Sequence, residues 1–287
     1  MAILLKGKPV ADKINNELVK EVDSLKKYNV TPTLIIIRVG NRDDDLAYER
    51  NIEKRCNSLN IDVYKSILSE DCTQEELEYI IRRANSNSFI HGILLFRPLP
   101  KQINEKQICS CIDSLKDIDG ITSNSLCDIF TNSQKDYTVP CTAEACLELL
   151  SYYGYNLDGS NIVVIGRSLV VGKPLSMMLQ NKNATVTMCH SHTNNLEKIC
   201  QQADIVIAAA GHPALVKTNA VNVNQIIVDV GINWSESAHK IVGDVDFDKV
   251  EPIVNAITPV PGGVGAITTA ILAKHVVAAA KHFSLDD

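Results

Sequence analysis

The sequence predicts an α/β protein built from two α/β domains, and three observations carry that expectation. Apolar, β-branched runs of strand length alternate with helix-period segments along nearly the whole chain, the pattern of a mainly parallel sheet covered on both faces. A chain of 287 residues is longer than one hydrophobic core usually grows, which favours two domains. Residues 162–174, IVVIGRSLVVGKP, send an apolar run straight into glycines and then a helix, the form of a dinucleotide phosphate site in a Rossmann-like domain with a parallel sheet.

In chain order, Val10, Ile14, Leu18, Val22 and Leu25 recur at helical spacing. TLIIIRVG (33–40) reads as a buried strand, and a helix is expected over residues 45–59. IDVYKSIL (61–68) is strand-like. Thr73 with Glu76 makes a capping box ahead of an amphipathic helix, and FIHGILLF (89–96) is another strand, stopped by RPLP. A polar stretch over 124–136 precedes a helix capped by Thr142 and running through Tyr153. The strand at Ile162 opens a second α/β set, continued by ATVTMC (184–189), DIVIAAA (204–210) and QIIVDVG (225–231). The boundary is therefore expected near Pro140, with a first domain over 1–140, a second over 141–267, and a last helix, 268–287, returning to the first.

Composition excludes several classes. With 45% hydrophobic and 22% charged residues the chain is ordinary soluble material. A net charge of −6 without a long basic run argues against nucleic acid or an anionic membrane surface as partner. The opening MAILLKGKPV has too short an apolar run for a signal peptide, and no stretch of about 18 apolar residues occurs to span a bilayer, so the expected location is the cytoplasm. Nine cysteines without a CxxC pair indicate neither a disulfide framework nor a zinc site, and Cys109 and Cys111 read as reduced thiols. No metal is expected: His190 and His192 have no carboxylate at ligand spacing, and only Cys189 beside them.

The cofactor follows from what ends the second strand of the second set. An NAD site commonly places an acid there for the ribose hydroxyls; here the strand ends Cys189, His190, Ser191, His192. With no acid, and with Arg167 and Ser191 able to offer a charged fork and a hydroxyl to a 2′-phosphate, NADP is favoured over NAD. A second glycine loop, TPVPGGVGAIT (258–268), combines the fixed φ of Pro259 and Pro261 with the freedom of Gly262, Gly263 and Gly265. That loop reads equally as a ligand-facing backbone or a stiff turn between domains.

Eight blocks in order, DIDGIT (117–122), PCT (140–142), VVIGRSLVVGKP (163–174), ATVTMCHSHT (184–193), ADIVIAAAGHP (203–213), VDVGIN (228–233), GDVDF (243–247) and TPVPGGVG (258–265), resemble the methylenetetrahydrofolate dehydrogenase/cyclohydrolase family nearly end to end. The resemblance implies NADP-dependent oxidation of 5,10-methylenetetrahydrofolate to the methenyl compound, in a homodimer whose subunits hold a folate domain and an NADP domain facing each other across a cleft. It assigns Gly166, Arg167, Ser168, Ser191 and Ile232 to the cofactor. It assigns Tyr48, Asp119, Pro261, Gly262 and Gly263 to the folate, with Asp119 on the polar edge of the pterin.

The chain departs from that family on the folate side. Where the family usually has a Lys four residues after the Tyr, and a Gln at the end of the strand before PLP, this chain has Ile52 and Phe96, the latter followed by Arg97. Dehydrogenation moves a hydride while a neighbouring nitrogen lone pair develops the methenyl cation, so positioning suffices. Hydrolysis of that cation needs activated water and a mobile proton, work suited to a Lys of lowered pKa. Dehydrogenase activity is therefore expected to survive and cyclohydrolase activity to be weak or absent.

At about 100° per residue, Ile52 lies about 40° from Tyr48, Arg55 about 20° and Lys54 about 120°. Arg55 is well aimed but stays protonated, suiting it, with Arg97, to folate carboxylates or a relayed water. Lys54 reaches the site only through a helix bulge. Two alternatives stand beside the dehydrogenase: a bifunctional enzyme that also hydrolyses the methenyl compound, and a catalytically silent folate or nucleotide binding module.

Overall fold

The computed structural model describes residues 1–133, 138–236 and 239–285. Its first elements are β1 (Ile3–Leu4), α1 (Gly7–Lys26), β2 (Thr33–Val39), α2 (Asp43–Ser58), β3 (Asp62–Leu68), α3 (Gln74–Ser86), β4 (Gly92–Leu95), α4 (Glu105–Ser110), α5 (Ser123–Thr131) and α6 (Cys141–Tyr152). There follow β5 (Asn161–Ile165), α7 (Gly172–Gln180), β6 (Thr185–Cys189), α8 (Leu196–Gln201), β7 (Ile205–Ala208) and β8 (Ile226–Asp229). The chain closes with β9 (Asn233–Ser235), β10 (Lys240–Val242), α9 (Phe247–Val250), β11 (Ala256–Ile257) and α10 (Thr268–Leu285).

Two α/β units emerge. One comprises Met1–Asp12 with Thr142–Thr268, the other Lys13–Cys141 with Thr269–Asp287. The expected division gave residues 1–12 to the first domain, and the structure gives them to the second. The reason is pairing: β1 runs parallel to β11, with Ile3 opposite Ala256 and Leu4 opposite Ile257. A two-residue strand carries no period of its own, so this connection is invisible in the pattern.

In the unit of 13–141 and 269–287, a three-stranded parallel sheet has the order β3-β2-β4. The central TLIIIRV strand is buried along nearly its whole length, and Leu77, Ile81 and Ala84 of α3 join Ile37, Ile93 and Leu95 in one core. The Thr73 capping box forms as read. The strand expected over 89–96 shortens to four residues, because the segment ahead of it turns: the Phe89 N–H bonds the Asn87 side chain, and His91 brackets Thr33 through both its backbone N–H and its Nδ1.

The polar stretch over 124–136 is not simply irregular. Its first part is α5, capped by Thr122 and anchored by the buried Asp117, which accepts from the Ile121 and Thr122 N–H groups and from Ser125 Oγ. Residues 134–136 of that stretch lie outside the described ones. The next helix starts at Cys141, so Thr142 sits inside its first turn instead of capping it.

The other unit holds a six-stranded sheet, β1-β11-β8-β7-β5-β6, with every pair parallel, and a separate antiparallel β9–β10 hairpin. β7 and β8 are buried on both faces and therefore read as continuous apolar runs, whereas the edge strand β6 alternates. β5 pairs with β6 on one side and β7 on the other, so the chain reverses its direction across the sheet at the end of β5. Ligands of such sheets bind at that switch point.

Candidate functional site

In the unit of 13–141 and 269–287, α2 runs as unbroken α-helix from Asp43 to Ser58, with Asp43, Asp44 and Asp45 at its positive N-terminal end. Its inward face carries Glu49, Ile52 and Cys56. Ile52 is 1% exposed and Phe96 6% exposed, so both are enclosed apolar side chains. Phe96 packs its ring against Tyr48, with centroids 5.7 Å apart and tilted by 35°, while its backbone N–H extends the sheet to the Ile37 carbonyl.

Tyr48 as a whole keeps 36% of its surface, but its hydroxyl is the enclosed end. Burial first, and then the charges of Asp119 and Cys141, push that hydroxyl well above its ordinary pKa. It stays protonated at neutral pH. Asp119 is raised by burial and by the neighbouring Asp117, opposed by hydrogen bonds from Cys141 and by the charge of Arg97. The Cys141 backbone N–H lies 3.4 Å from Asp119 Oδ1. Gly120, at φ 60, follows because a side chain there would run into the backbone of Val139 and Pro140.

The cations that follow Ile52 on α2 lie where helix geometry dictates. Lys54 is exposed, and no bulge turns it inward. Arg55 donates from Nε to Thr269 Oγ1 at 3.2 Å. Arg97 pairs with Glu105 at 3.7 Å. Unforeseen in the sequence is a buried ion group: Arg38 donates to Glu49 at 2.8 Å and to the Gly40 carbonyl, and Lys65 reaches Glu49 at 3.3 Å. Burial works to raise the Glu49 pKa, but the hydrogen bonds from Arg38 and Lys65 outweigh it and hold the carboxyl below its ordinary value. The signal for this group was a lone Arg in an otherwise apolar strand.

In the other unit, Gly166 follows β5 at φ 135, and a Cβ there would strike the Ala209 carbonyl just after β7. The glycine thus first closes the loop on its own sheet; that closure in turn sets Arg167 and Ser168 ahead of α7. Ser168 Oγ accepts from the Val171 N–H at 3.1 Å, and Ser168 O from the Lys173 N–H at 3.0 Å. Arg167 is exposed and forms no ion pair among the described residues. Ser191 is exposed in the turn after β6, where the His190 N–H bonds Thr193 Oγ1 and the His192 N–H bonds His190 Nδ1. Those histidines serve the turn, and among the described residues no cluster of metal-ligating side chains occurs.

Ile232 is 69% exposed, and its Cδ1 lies near Gly265. In the second glycine loop the Val260–Pro261 peptide is cis, Gly262 has φ 104 and accepts from the Gly7 N–H at 2.8 Å, and Gly263 follows. Two acids do the organising that the sequence reading left unassigned. Asp244 accepts from three successive N–H groups, of Ala210, Gly211 and His212, and from Asn233 Nδ2. Asp229 accepts from the N–H groups of Gly231, Asp244 and Val245, and burial pushes its pKa up to about 6. The tight glycines beside these acids were the available signal.

Comparison with known proteins gives one answer. A family model described as tetrahydrofolate dehydrogenase/cyclohydrolase, catalytic domain, matches residues 5–119, and its NAD(P)-binding domain counterpart matches residues 140–284. The chain is 48% identical over 280 residues to the bifunctional protein FolD of Carboxydothermus hydrogenoformans, covering 97% of each. Among solved structures, the bifunctional methylenetetrahydrofolate dehydrogenase/cyclohydrolase of Campylobacter jejuni superposes with a TM-score of 0.95 at 38% identity, over 98% of this chain and 99% of that one. The Trypanosoma brucei enzyme, solved with NADP cofactor and inhibitor, gives 0.92 at 33% identity, over 98% of each chain.

Proposed function

The chain belongs to the tetrahydrofolate dehydrogenase/cyclohydrolase family, and from that premise we propose that it is an NADP-dependent 5,10-methylenetetrahydrofolate dehydrogenase whose cyclohydrolase step is weak or absent. The enclosure of Ile52 and Phe96 carries this reading. Neither side chain holds an atom that can take a proton from water, and the nearby cations are turned outward or bonded elsewhere.

When bound, the nicotinamide supplies the hydride acceptor. The chain's own residues supply position: Asp119 takes the polar edge of the pterin, and the Tyr48 ring, backed by Phe96, forms an apolar wall with a protonated hydroxyl at its inner end. Pro261, Gly262 and Gly263 offer bare backbone to the folate. For the cofactor, Gly166 and Ser168 shape the turn ahead of α7, Ile232 offers apolar surface, and Arg167 with Ser191 takes the 2′-phosphate. The fit rests on an exposed Arg167 and on the absence of an acid over 189–192, which would repel that phosphate. We also infer a homodimer, supported by the free edge of β3, where Tyr64 and Ile67 stand exposed; sedimentation as a monomer would overturn it.

The deciding assay follows NADPH and the methenyl absorbance separately on purified protein. Folate-dependent NADPH formation is expected, with the methenyl compound accumulating and decaying no faster than without enzyme. Enzyme-accelerated decay in the absence of nucleotide would establish the bifunctional reading, and no NADPH at all would establish a silent binding module. Ile52→Lys combined with Phe96→Gln should raise hydrolysis about a hundredfold, the low end of what a positioned acid–base group contributes; no gain would sink the explanation.

A further inference from the structure

The loop after β7 is exposed, yet its backbone is held from beneath. Ala210, Gly211, His212 and Pro213 are all exposed, while Asp244, two residues after β10, is fully buried. Asp244 Oδ2 accepts from the Ala210 N–H at 2.6 Å and the Gly211 N–H at 2.9 Å. Its Oδ1 accepts from the His212 N–H and from Asn233 Nδ2, both at 2.9 Å. Four donors on two carboxylate oxygens fill the acceptor capacity of the group. The acid is fixed in turn: its own N–H donates to Asp229 Oδ1, and its carbonyl accepts from the Val216 N–H. A Cβ at Gly231 would run into the carboxylate, so the glycine is what admits it.

This anchoring sits at the edge of the sheet where a ligand binds. β5 and β7 are parallel neighbours, and their carboxyl ends border the switch point, with the Gly166 turn on one side and residues 209–212 on the other. The two segments touch: the Ala209 N–H donates to the Ile165 carbonyl at 2.8 Å, and any side chain at Gly166 would strike the Ala209 carbonyl. Asn233, the fourth donor, directly follows Ile232. One buried carboxylate therefore fixes both the loop after β7 and the segment after β8.

We propose that Asp244 is a positioning residue for the dinucleotide, holding residues 210–212 as a wall of the nucleotide crevice with their N–H groups turned inward. With three successive N–H groups committed to Asp244, the loop offers a ligand its carbonyl acceptors. Acceptors match the ribose hydroxyls and the amide and amine N–H groups of a dinucleotide, whereas phosphates require donors. Asp244 thus serves the parts that NADP and NAD share, and the 2′-phosphate is left to Arg167 and Ser191. The proposal rests on this unit being the NADP site.

Asp244→Asn keeps the size of the side chain but turns one acceptor oxygen into an NH2 group, so two of the four donors lose their partner. Calorimetric titration with nucleotide alone should show Kd for NADP and for NAD raised by the same factor, about tenfold, the weight of one hydrogen bond to a charged group. In turnover the change should fall on KM for the nucleotide, with kcat less affected. Unchanged Kd in a folded Asp244→Asn protein, or a loss confined to NADP, would overturn the proposal. A wild type that binds neither nucleotide would overturn the functional reading and the proposal with it.

Two further measurements hold even if Asp244→Asn does not fold. The Ala210, Gly211 and His212 amides should exchange slowly in the wild type without nucleotide, although their residues are exposed. Gly211 has φ 65, which Asn tolerates and Val does not, and a Cβ there meets open space. Gly211→Val should weaken both nucleotides alike, and Gly211→Asn should recover most of that loss. Fast exchange of the three amides, or equal Kd values for the Val and Asn variants, would overturn the proposal.

Discussion

At Ile52 and Phe96, enclosed apolar side chains offer packing and no atom that could move a proton. The Phe96 ring lies on Tyr48, and Ile52 is sealed between Glu49 and Cys56 on the inward face of α2. Arg55 and Arg97 are tied, to Thr269 and Glu105. In the other unit, Arg167 supplies the charge in the cofactor prediction. Arg167→Ala should lower kcat/KM with NADP by about tenfold to a hundredfold, the worth of a charge-assisted hydrogen bond, while leaving NAD use nearly unchanged. An unaltered ratio of NADP to NAD use would remove Arg167 from the 2′-phosphate.

At the scale of elements, the joint between β2 and β4 stores a pH dependence. His91 Nδ1 accepts from the Thr33 N–H, so protonation would break the bond that aligns the strands. Burial, with Lys116 adding to it, lowers the His91 pKa to about 4. Lys116 is itself committed, donating to the Ala84, Asn85 and Asn87 carbonyls at the C-terminal end of α3. The unfolded chain takes a proton near pH 6.5 that the folded chain refuses until about 4. The stabilisation is complete above the higher value and is lost as pH falls through that window, roughly 3 kcal/mol in all. Denaturant midpoints measured from pH 7 to 4 should fall accordingly, and His91→Asn should flatten the slope; a wild-type stability level across the window would contradict the assignment.

The elements themselves were largely legible. The helical spacing from Val10 to Leu25, the TLIIIRV strand, the Thr73 capping box and the strands after Ile162 all appear where hydrophobic period and caps place them. What escaped were pieces too short to show a period, such as β1, β11 and the β9–β10 hairpin, and α5, whose polar surface hides a start fixed by Asp117. On the candidate site, motif spacing was enough to single out Tyr48, Asp119, Ile52 and Phe96 as candidates. The Arg38–Glu49–Lys65 group and the Asp229 and Asp244 anchors could not be named, because their partners lie far apart in the chain.

For the molecule as a whole, the N-terminal strand ties the start of the chain to a unit formed mainly by residues 142–268. Leu5 is fully buried next to this strand, and its N–H bonds the Ile257 carbonyl. Leu5→Ala should cost about 2–4 kcal/mol. Hydrogen exchange should quicken first at the amides of β8 and β11, with those of β2 and β4 following only on global unfolding; equal acceleration in both sheets would show that the two units open as one. Sequence alone determined the α/β class, the glycine turn at Gly166 and the family, because each is written in local order: period, glycine spacing and motif sequence. Only the tertiary structure decided which unit the first residues join and which acids hold the loops. Strand partners and buried hydrogen bonds are chosen by the energy of leaving no donor or acceptor unpaired, and that choice is made between segments that the linear order keeps far apart.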